Sequence, residues 1–224
     1  GSHEPVFSTE RAPFKRDDAV LALLANRLFR VEGLRPGQAE GVAALLSGRD
    51  LVLTLPTGGG KSLCYQLAAL LTACTAIVAA PLRALLRDQA RRLRSVGVTR
   101  IGLLVGGDVT ETRRALSGLR EGRWILALAA PERLDSGSFR EALRATAETG
   151  GVPFVAVDEA HCAARRGHDW RPAYRALGAR LRVWASSSGR IPALAALSGG
   201  ATPGALAEAE RVLGLRDPVR QDCG

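Results

Sequence analysis

Methionine is absent from all 224 residues, and lysine stands only at positions 15 and 61. The first absence means that the chain does not open on a native start, and Gly1-Ser2-His3 reads as the scar of a cleaved purification tag. The chain is therefore expected to be an excised part of a longer protein. No apolar run approaches the roughly 18 residues of a membrane span, and no secretory segment is visible. A soluble, cytoplasmic protein is expected, nucleoid-associated if bacterial. Cysteines 64, 74, 162 and 223 form no C-x-x-C pair, which excludes a zinc ribbon and a disulfide framework and leaves reduced thiols. No internal repeat is present.

What is abundant is arginine. It makes up 29 of the 31 Lys-plus-Arg residues, against 22 acidic ones, for a net charge of +9. That balance points to an acidic partner, nucleic acid first; the blander reading is an arginine-rich genome decorating a solvated surface. A length of 224 residues suits one domain, and 46% hydrophobic residues supply a sizeable core.

In such a chain the lysine at 61 stands out, because it closes Pro56-Thr57-Gly58-Gly59-Gly60-Lys61-Ser62. The stretch follows an apolar run of strand length, Leu51 to Leu55, and precedes a segment of helix length, Leu63 to Thr72. Strand, glycine loop and helix are the context of a phosphate cradle. Glycines let backbone N–H groups turn toward an anion, and the new helix adds its positive end. Lys61 would reach the β- and γ-phosphates, and the Ser62 hydroxyl would ligate Mg²⁺. The strict pattern G-x-x-x-x-G-K-[ST] is not met, since Leu55 occupies the first glycine's place. A compact ammonium fits among phosphates where a planar guanidinium fits poorly.

Along the rest of the chain, residues 4–16 read as a loose lead-in and 17–29 as a helix with aspartates in its first turn, with a second helix over 39–46. Apolar runs at 76–80, 101–105, 124–128, 154–157 and 191–197 then alternate with helical segments at 82–96, 110–119, 139–146, 172–181 and 205–213. This alternation predicts an α/β domain: a mainly parallel sheet with helices on both faces and ligands at the carboxyl ends of its strands. Residues 185–190 read as a surface loop.

The run 154–157 ends in Asp158-Glu159-Ala160-His161. An acidic pair at the end of a buried strand is what a Mg-nucleotide site requires. Asp158 would hold the metal through water, and Glu159 would orient and deprotonate the attacking water. His161 and His168 are the chain's two histidines outside the scar.

These residues resemble the first motor domain of RecQ-type DNA helicases of superfamily two. Pro56–Ser62 with Leu63-Cys64-Tyr65-Gln66 is similar to motif I, Leu34–Gln38 to the adenine-reading segment, and Ala80-Pro81-Leu82 with Asp88-Gln89 to motif Ia. Ala130–Leu134 resembles motif Ib, Asp158–His161 motif II, and Gly167–Pro172 the aromatic-rich loop that follows it. Gly214-Leu215 with Asp217-Pro218 resembles the domain's end. Over residues 17–224 the resemblance implies a RecA-like P-loop NTPase fold, Mg-ATP hydrolysis and 3′-to-5′ unwinding of DNA in repair and recombination. By residue, it implies nucleotide binding by Arg35, Gln38, Thr57, Gly58, Gly59, Gly60, Lys61 and Ser62, with Arg35 and Gln38 at the adenine. Catalysis falls to Lys61, Asp158 and Glu159, and metal binding to Ser62 and Asp158. Contacts to single-stranded DNA and duplex junctions fall to Arg133, Arg166, His168, Trp170 and Arg171. It also implies a second RecA-like domain, absent from these residues, that supplies an arginine finger; without it the isolated domain is expected to be nearly inactive.

The departures from the family pattern fall on parts that sense base or DNA. Val31 stands where an adenine-stacking aromatic is usual, Arg166 where tryptophan is usual, Ala164 where serine is usual, and Ser198-Gly199-Gly200 where motif III reads Thr-Ala-Thr. They leave open a rival reading, a DNA-binding regulatory module switched by ATP that does not unwind. A third reading, an RNA-remodelling ATPase, is disfavoured by His168-Asp169-Trp170.

Overall fold

The computed structural model describes residues 16–72, 74–163, 174 and 191–223. The expectations for residues 1–15, for 164–172 (Ala164, Arg166, His168, Trp170 and Arg171 among them), for the helix at 172–181 and for the loop at 185–190 lie outside the described residues.

Asp17 caps the first helix, α1 (Asp18–Phe29), by accepting from the N–H groups of Ala19 and Val20. The chain continues through α2 (Gln38–Leu46), β1 (Leu51–Thr54), α3 (Lys61–Leu70), β2 (Ala76–Ala79), α4 (Arg83–Ser95), β3 (Ile101–Leu104), α5 (Val109–Arg120) and β4 (Leu126–Ala129). Next come the short α6 (Pro131–Leu134), α7 (Gly137–Thr149), β5 (Phe154–Val157), a 3₁₀ turn (Ala160–Ala163), β6 (Ala193–Ser198), α8 (Pro203–Leu213) and β7 (Val219–Asp222).

All seven strands run parallel, in the order β3-β4-β2-β5-β6-β1-β7. The six strands from β1 to β6 are buried throughout, as near-continuous apolar runs with helices on both faces must be. Alternate residues separate cleanly. Val78, Leu128 and Ala156 join Leu21, Leu45, Leu67 and Leu86 from α1–α4 on one face. Ile77, Ala127 and Val155 join Leu119, Phe139 and Val212 from α5, α7 and α8 on the other.

The structure moves several expected boundaries. α3 begins two residues earlier than the apolar run, at Lys61, so the lysine and Ser62 sit in its first turn. The strand expected at 124–128 is 126–129 instead; Trp124 packs against Gly102 and Gly118 and donates its indole N–H to Ala115 O at 2.8 Å. A Cβ on Gly102 would come within 2.7 Å of that ring, so glycine there opens the slot. β7 was not expected as a strand at all. It is a half-exposed edge paired to β1.

Candidate nucleotide site

β1 delivers the chain to Pro56, and the glycines turn it back into α3. Gly58 and Gly60 have φ of +77° and +81°, a region that side chains with a Cβ rarely adopt. Gly59 N–H closes the turn on Pro56 O at 2.7 Å, and a Cβ at Gly59 would sit 2.6 Å from that same oxygen. Leu55, which takes the place of the pattern's first glycine, is buried, and its N–H pairs with Ser198 O at 3.2 Å. Here the cradle needs glycine only from 58 onward. α3 has no side-chain cap; Leu63 N–H bonds Gly60 O at 3.0 Å, and a helix start without a side-chain cap suits an anion.

β5 lies two strands from β1, across β6, and its end brings Asp158 and Glu159 to this loop. Lys61 Nζ is 3.7 Å from Glu159 Oε1, with the lysine side chain 9% exposed. Glu159 has φ +52°, a strained conformation for a residue with a Cβ and one that recurs at working sites. Asp158 is held by three groups. Its Oδ1 accepts from Glu159 N–H at 3.0 Å, and its Oδ2 lies 3.3 Å from Tyr65 Oη and from Gln89 Nε2. Tyr65 Oη is in turn 2.8 Å from Gln89 Oε1, so a fully buried chain of polar groups ties α3 and α4 to the acidic pair. Burial and then the neighbouring Glu159 charge push the Asp158 carboxyl above its ordinary value, while Lys61 pulls it down. A buried carboxylate made costly in this way fits a divalent cation, whose charge would offset the desolvation.

Thr57, Gly58, Gly60, Lys61, Ser62, Asp158 and Glu159 line one cleft of about 950 Å³ with Arg35, Gln38, Phe29 and Val31. These expected residues share one cleft; Gly59, also expected at the nucleotide, is not among those that line it. The side chain of Gln38, expected at the adenine, also bonds to the loop: Nε2 donates to Gly59 O (3.2 Å) and Gly60 O (3.0 Å), and Oε1 accepts from Arg35 N–H (2.7 Å). Arg133, from the expected DNA set, stands apart from this cleft. Its guanidinium packs under the turn at Gly106, where a Cβ would overlap it, and borders a shallow hollow with Arg113 and Arg120.

Three participants escaped the sequence reading. Tyr65 and Gln89 fall within motif-like stretches and Ser198 within a departure from one, and Ser198 Oγ is 2.8 Å from His161 Nδ1. The signal available was a polar group at a buried position among apolar ones: Tyr65 on α3, Gln89 beside Leu86, Ala90 and Leu93 on α4, and Ser198 at the end of β6. Among the described residues no His, Cys, Asp or Glu group of three or more is arranged to hold a metal by itself. Nor is any described helix long and apolar enough to cross a membrane.

A profile of the DEAD/DEAH box helicases matches residues 35–208. The ATP-dependent DNA helicase RecQ of Bacillus subtilis is 38% identical over 183 residues, covering 81% of this chain and 29% of that protein. The ATP-dependent DNA helicase Q5 of Mus musculus is 37% identical over 217 residues, 95% of this chain and 21% of that protein. For Q1 of Rattus norvegicus the values are 34% over 189 residues, 83% and 30%. The chain therefore spans under a third of the length of the curated relatives it matches. The fold is shared with the DUF1998 helicase MrfA bound to DNA, at a TM-score of 0.68 and 21% identity over 95% of this chain and 30% of that one. It is shared also with a hypothetical ATP-dependent RNA helicase from Sulfolobus tokodaii, at 0.66 and 18% over 90% of this chain and 56% of that one.

Proposed function

Because this chain belongs to the DEAD/DEAH box helicase family, we propose that it is the ATP-binding motor domain of a RecQ-like, 3′-to-5′ DNA helicase of the cytoplasm. The observation that carries the proposal is the junction of two strand ends: Lys61 at the start of α3 meets Glu159 at the end of β5, 3.7 Å apart, inside one cleft. Curated relatives named as RecQ-type DNA helicases support the choice of DNA as partner.

In this proposal the loop Thr57–Ser62 wraps the phosphates and Lys61 leaves Glu159 to meet the β- and γ-oxygens. Arg35 and Gln38 border the nucleoside end. Asp158 and Ser62 would hold Mg²⁺, which would offset phosphate charge as the γ-phosphoryl group leaves. Glu159, released from Lys61, aligns a water and takes its proton. Arg133, Arg166, His168, Trp170 and Arg171 contact DNA. A second RecA-like domain supplies the arginine finger, a contribution of about 10³–10⁵ in rate.

The rival switch-only reading rests on the altered aromatic-rich loop, which lies outside the described residues, and on the altered motif III. On motif III, Ser198 places a hydroxyl 2.8 Å from His161 Nδ1, which links the end of β6 to the turn after the acidic pair, and this favours the motor.

The test pairs two variants of the two-domain protein. Lys61→Ala is expected to lose nucleotide binding, and Glu159→Gln to retain binding while DNA-stimulated turnover disappears. The isolated chain should turn over ATP about 10³-fold or more below the two-domain protein. Undiminished hydrolysis by Glu159→Gln would overturn the assignment of the base, and equal turnover per site would overturn the need for a second domain.

A further inference from the structure

Gln89 is 7% exposed on α4, among Leu86, Ala90 and Leu93, and Tyr65 is fully buried on α3. Polar groups in such an interface are costly unless each finds a partner. Here the partners form a chain with a direction. Tyr65 Oη and Gln89 Oε1 are 2.8 Å apart, and an amide oxygen only accepts, so the phenolic proton lies between them. That proton is then not available to Asp158 Oδ2, which is 3.3 Å from the phenol oxygen. The donor to Oδ2 is Gln89 Nε2, also at 3.3 Å. Turned over, the amide would set Oε1 against the carboxylate, so phenol and carboxylate select the same orientation of Gln89.

The aspartate is held equally on its other sides. Its Oδ1 accepts from Glu159 N–H at 3.0 Å, and its own N–H donates to Ala79 O of β2 at 2.8 Å. A carboxylate has about four lone-pair sites, so these bonds leave room for a cation or its water. Tyr65 follows Lys61 by four residues on α3, which places both on one side of the helix. The helix that presents the lysine to phosphate thus also braces the aspartate. Phenylalanine and methionine would fill the space of Tyr65 and Gln89 with no buried polar chain. What they would lack is a donor aimed at Oδ2.

We infer that Tyr65 and Gln89 are positioning residues for the metal ligand: they fix Asp158 in the orientation that receives a divalent cation together with Ser62. The inference rests on the nucleotide reading above and deepens it by naming two residues on which the cation depends. Loss of a hydrogen bond to a ligating group costs about 10–100-fold in metal affinity.

The experiment is isothermal titration with β,γ-imido ATP of this chain, of Tyr65→Phe and of Gln89→Met, each in excess MgCl₂ and again in EDTA. The ratio of the two Kd values reads what the cation adds to binding. Both replacements nearly keep the parent volume, and melting curves verify that each variant is folded at the titration temperature. Gln89→Met should raise Kd in MgCl₂ by about tenfold or more, and Tyr65→Phe by a smaller factor, because it acts through Gln89. In EDTA both should stay within about twofold of the parent, since the phosphate loop is untouched. Equal losses with and without Mg²⁺ would show that the pair supports the fold alone and would overturn the inference. An unchanged Kd in MgCl₂ for Gln89→Met would overturn it too, as would a parent chain indifferent to Mg²⁺, and in both cases the nucleotide site would stand. Binding by the parent in neither buffer would overturn the nucleotide reading and this inference with it.

Discussion

Ser198 Oγ and His161 Nδ1 are 2.8 Å apart, and this bond joins the end of β6 to the turn that follows the acidic pair. The same ring nitrogen is 3.4 Å from Glu159 Oε2, so the imidazole is held between the strand end and the proposed base. Ser198→Ala removes one hydrogen bond, worth about 0.5–1.5 kcal/mol. In the two-domain protein it should lower DNA-stimulated turnover by roughly 2- to 10-fold with nucleotide Kd unchanged, and Ser198→Thr should restore it. Stimulated turnover of Ser198→Ala equal to the parent's would show that the contact carries no coupling.

Gly199 adjoins that serine and has a different task. A Cβ there would lie 2.6 Å from Lys61 Nζ and 3.3 Å from Thr57 Oγ1. The nearer atom is the free end of a flexible side chain, which can move at little cost. Gly199→Ala should therefore leave the melting temperature within about 2 °C of the parent while displacing Lys61 from Glu159. With that contact weakened the lysine is free for phosphate, and nucleotide Kd should fall by about threefold. Titration calorimetry reads the change, and an unaltered Kd would mean that the resting ion pair does not compete with the nucleotide.

How far the sequence carried this reading depends on whether the signal was local. β5 is legible to the residue, since Phe154–Val157 is an apolar run closed by an acidic pair. β7 was not: Val-Arg-Gln-Asp is polar and its exposure alternates, because an edge strand beside β1 keeps one side in water. The Tyr65–Gln89–Asp158 chain links residues 24, 69 and 93 positions apart, and no local pattern encodes such pairs. Gln38 shows the same limit from the other side. The resemblance places it at the adenine, whereas its bonds to Gly59 O and Gly60 O join residues 21 and 22 positions away and carry no local signal.

The slot for Trp124 gives a stability prediction. A Cβ on Gly118 would overlap the indole, which is pinned by its bond to Ala115 O and backed by Gly102. Alanine gains about 1 kcal/mol of helix propensity over glycine, whereas overpacking against a fixed ring costs about 1–3 kcal/mol. The overlap falls on ring atoms that cannot swing away, so the cost should win. Gly118→Ala should lower the melting temperature by about 2–6 °C, and adding Trp124→Leu should recover part of the loss. A rise in melting temperature for the single variant would mean that the ring moves freely.

The last prediction concerns Asp50, a carboxylate 5% exposed at the mouth of β1. One oxygen accepts from Leu194 N–H at 2.8 Å, at the start of β6; the other accepts from Arg216 N–H at 2.7 Å, in the turn before β7. Its own carbonyl accepts from Val219 N–H at 2.8 Å. One residue thus fixes both neighbours of the strand that feeds the phosphate loop. Asp50→Ala leaves two backbone donors without that acceptor, each costing about 1–3 kcal/mol where buried, with the half-buried Arg216 N–H at the low end. The melting temperature should fall by roughly 5–12 °C. Amide exchange at Leu194 and Val219 should accelerate with it, since the edge strand loses its anchor. Asp50→Asn keeps one oxygen and should lose about half as much. Because the defect lies at the strand's far end from the loop, nucleotide Kd measured well below the melting temperature should stay within about twofold of the parent. A large change in Kd without a change in stability would show that Asp50 acts on the cleft directly and not through the sheet.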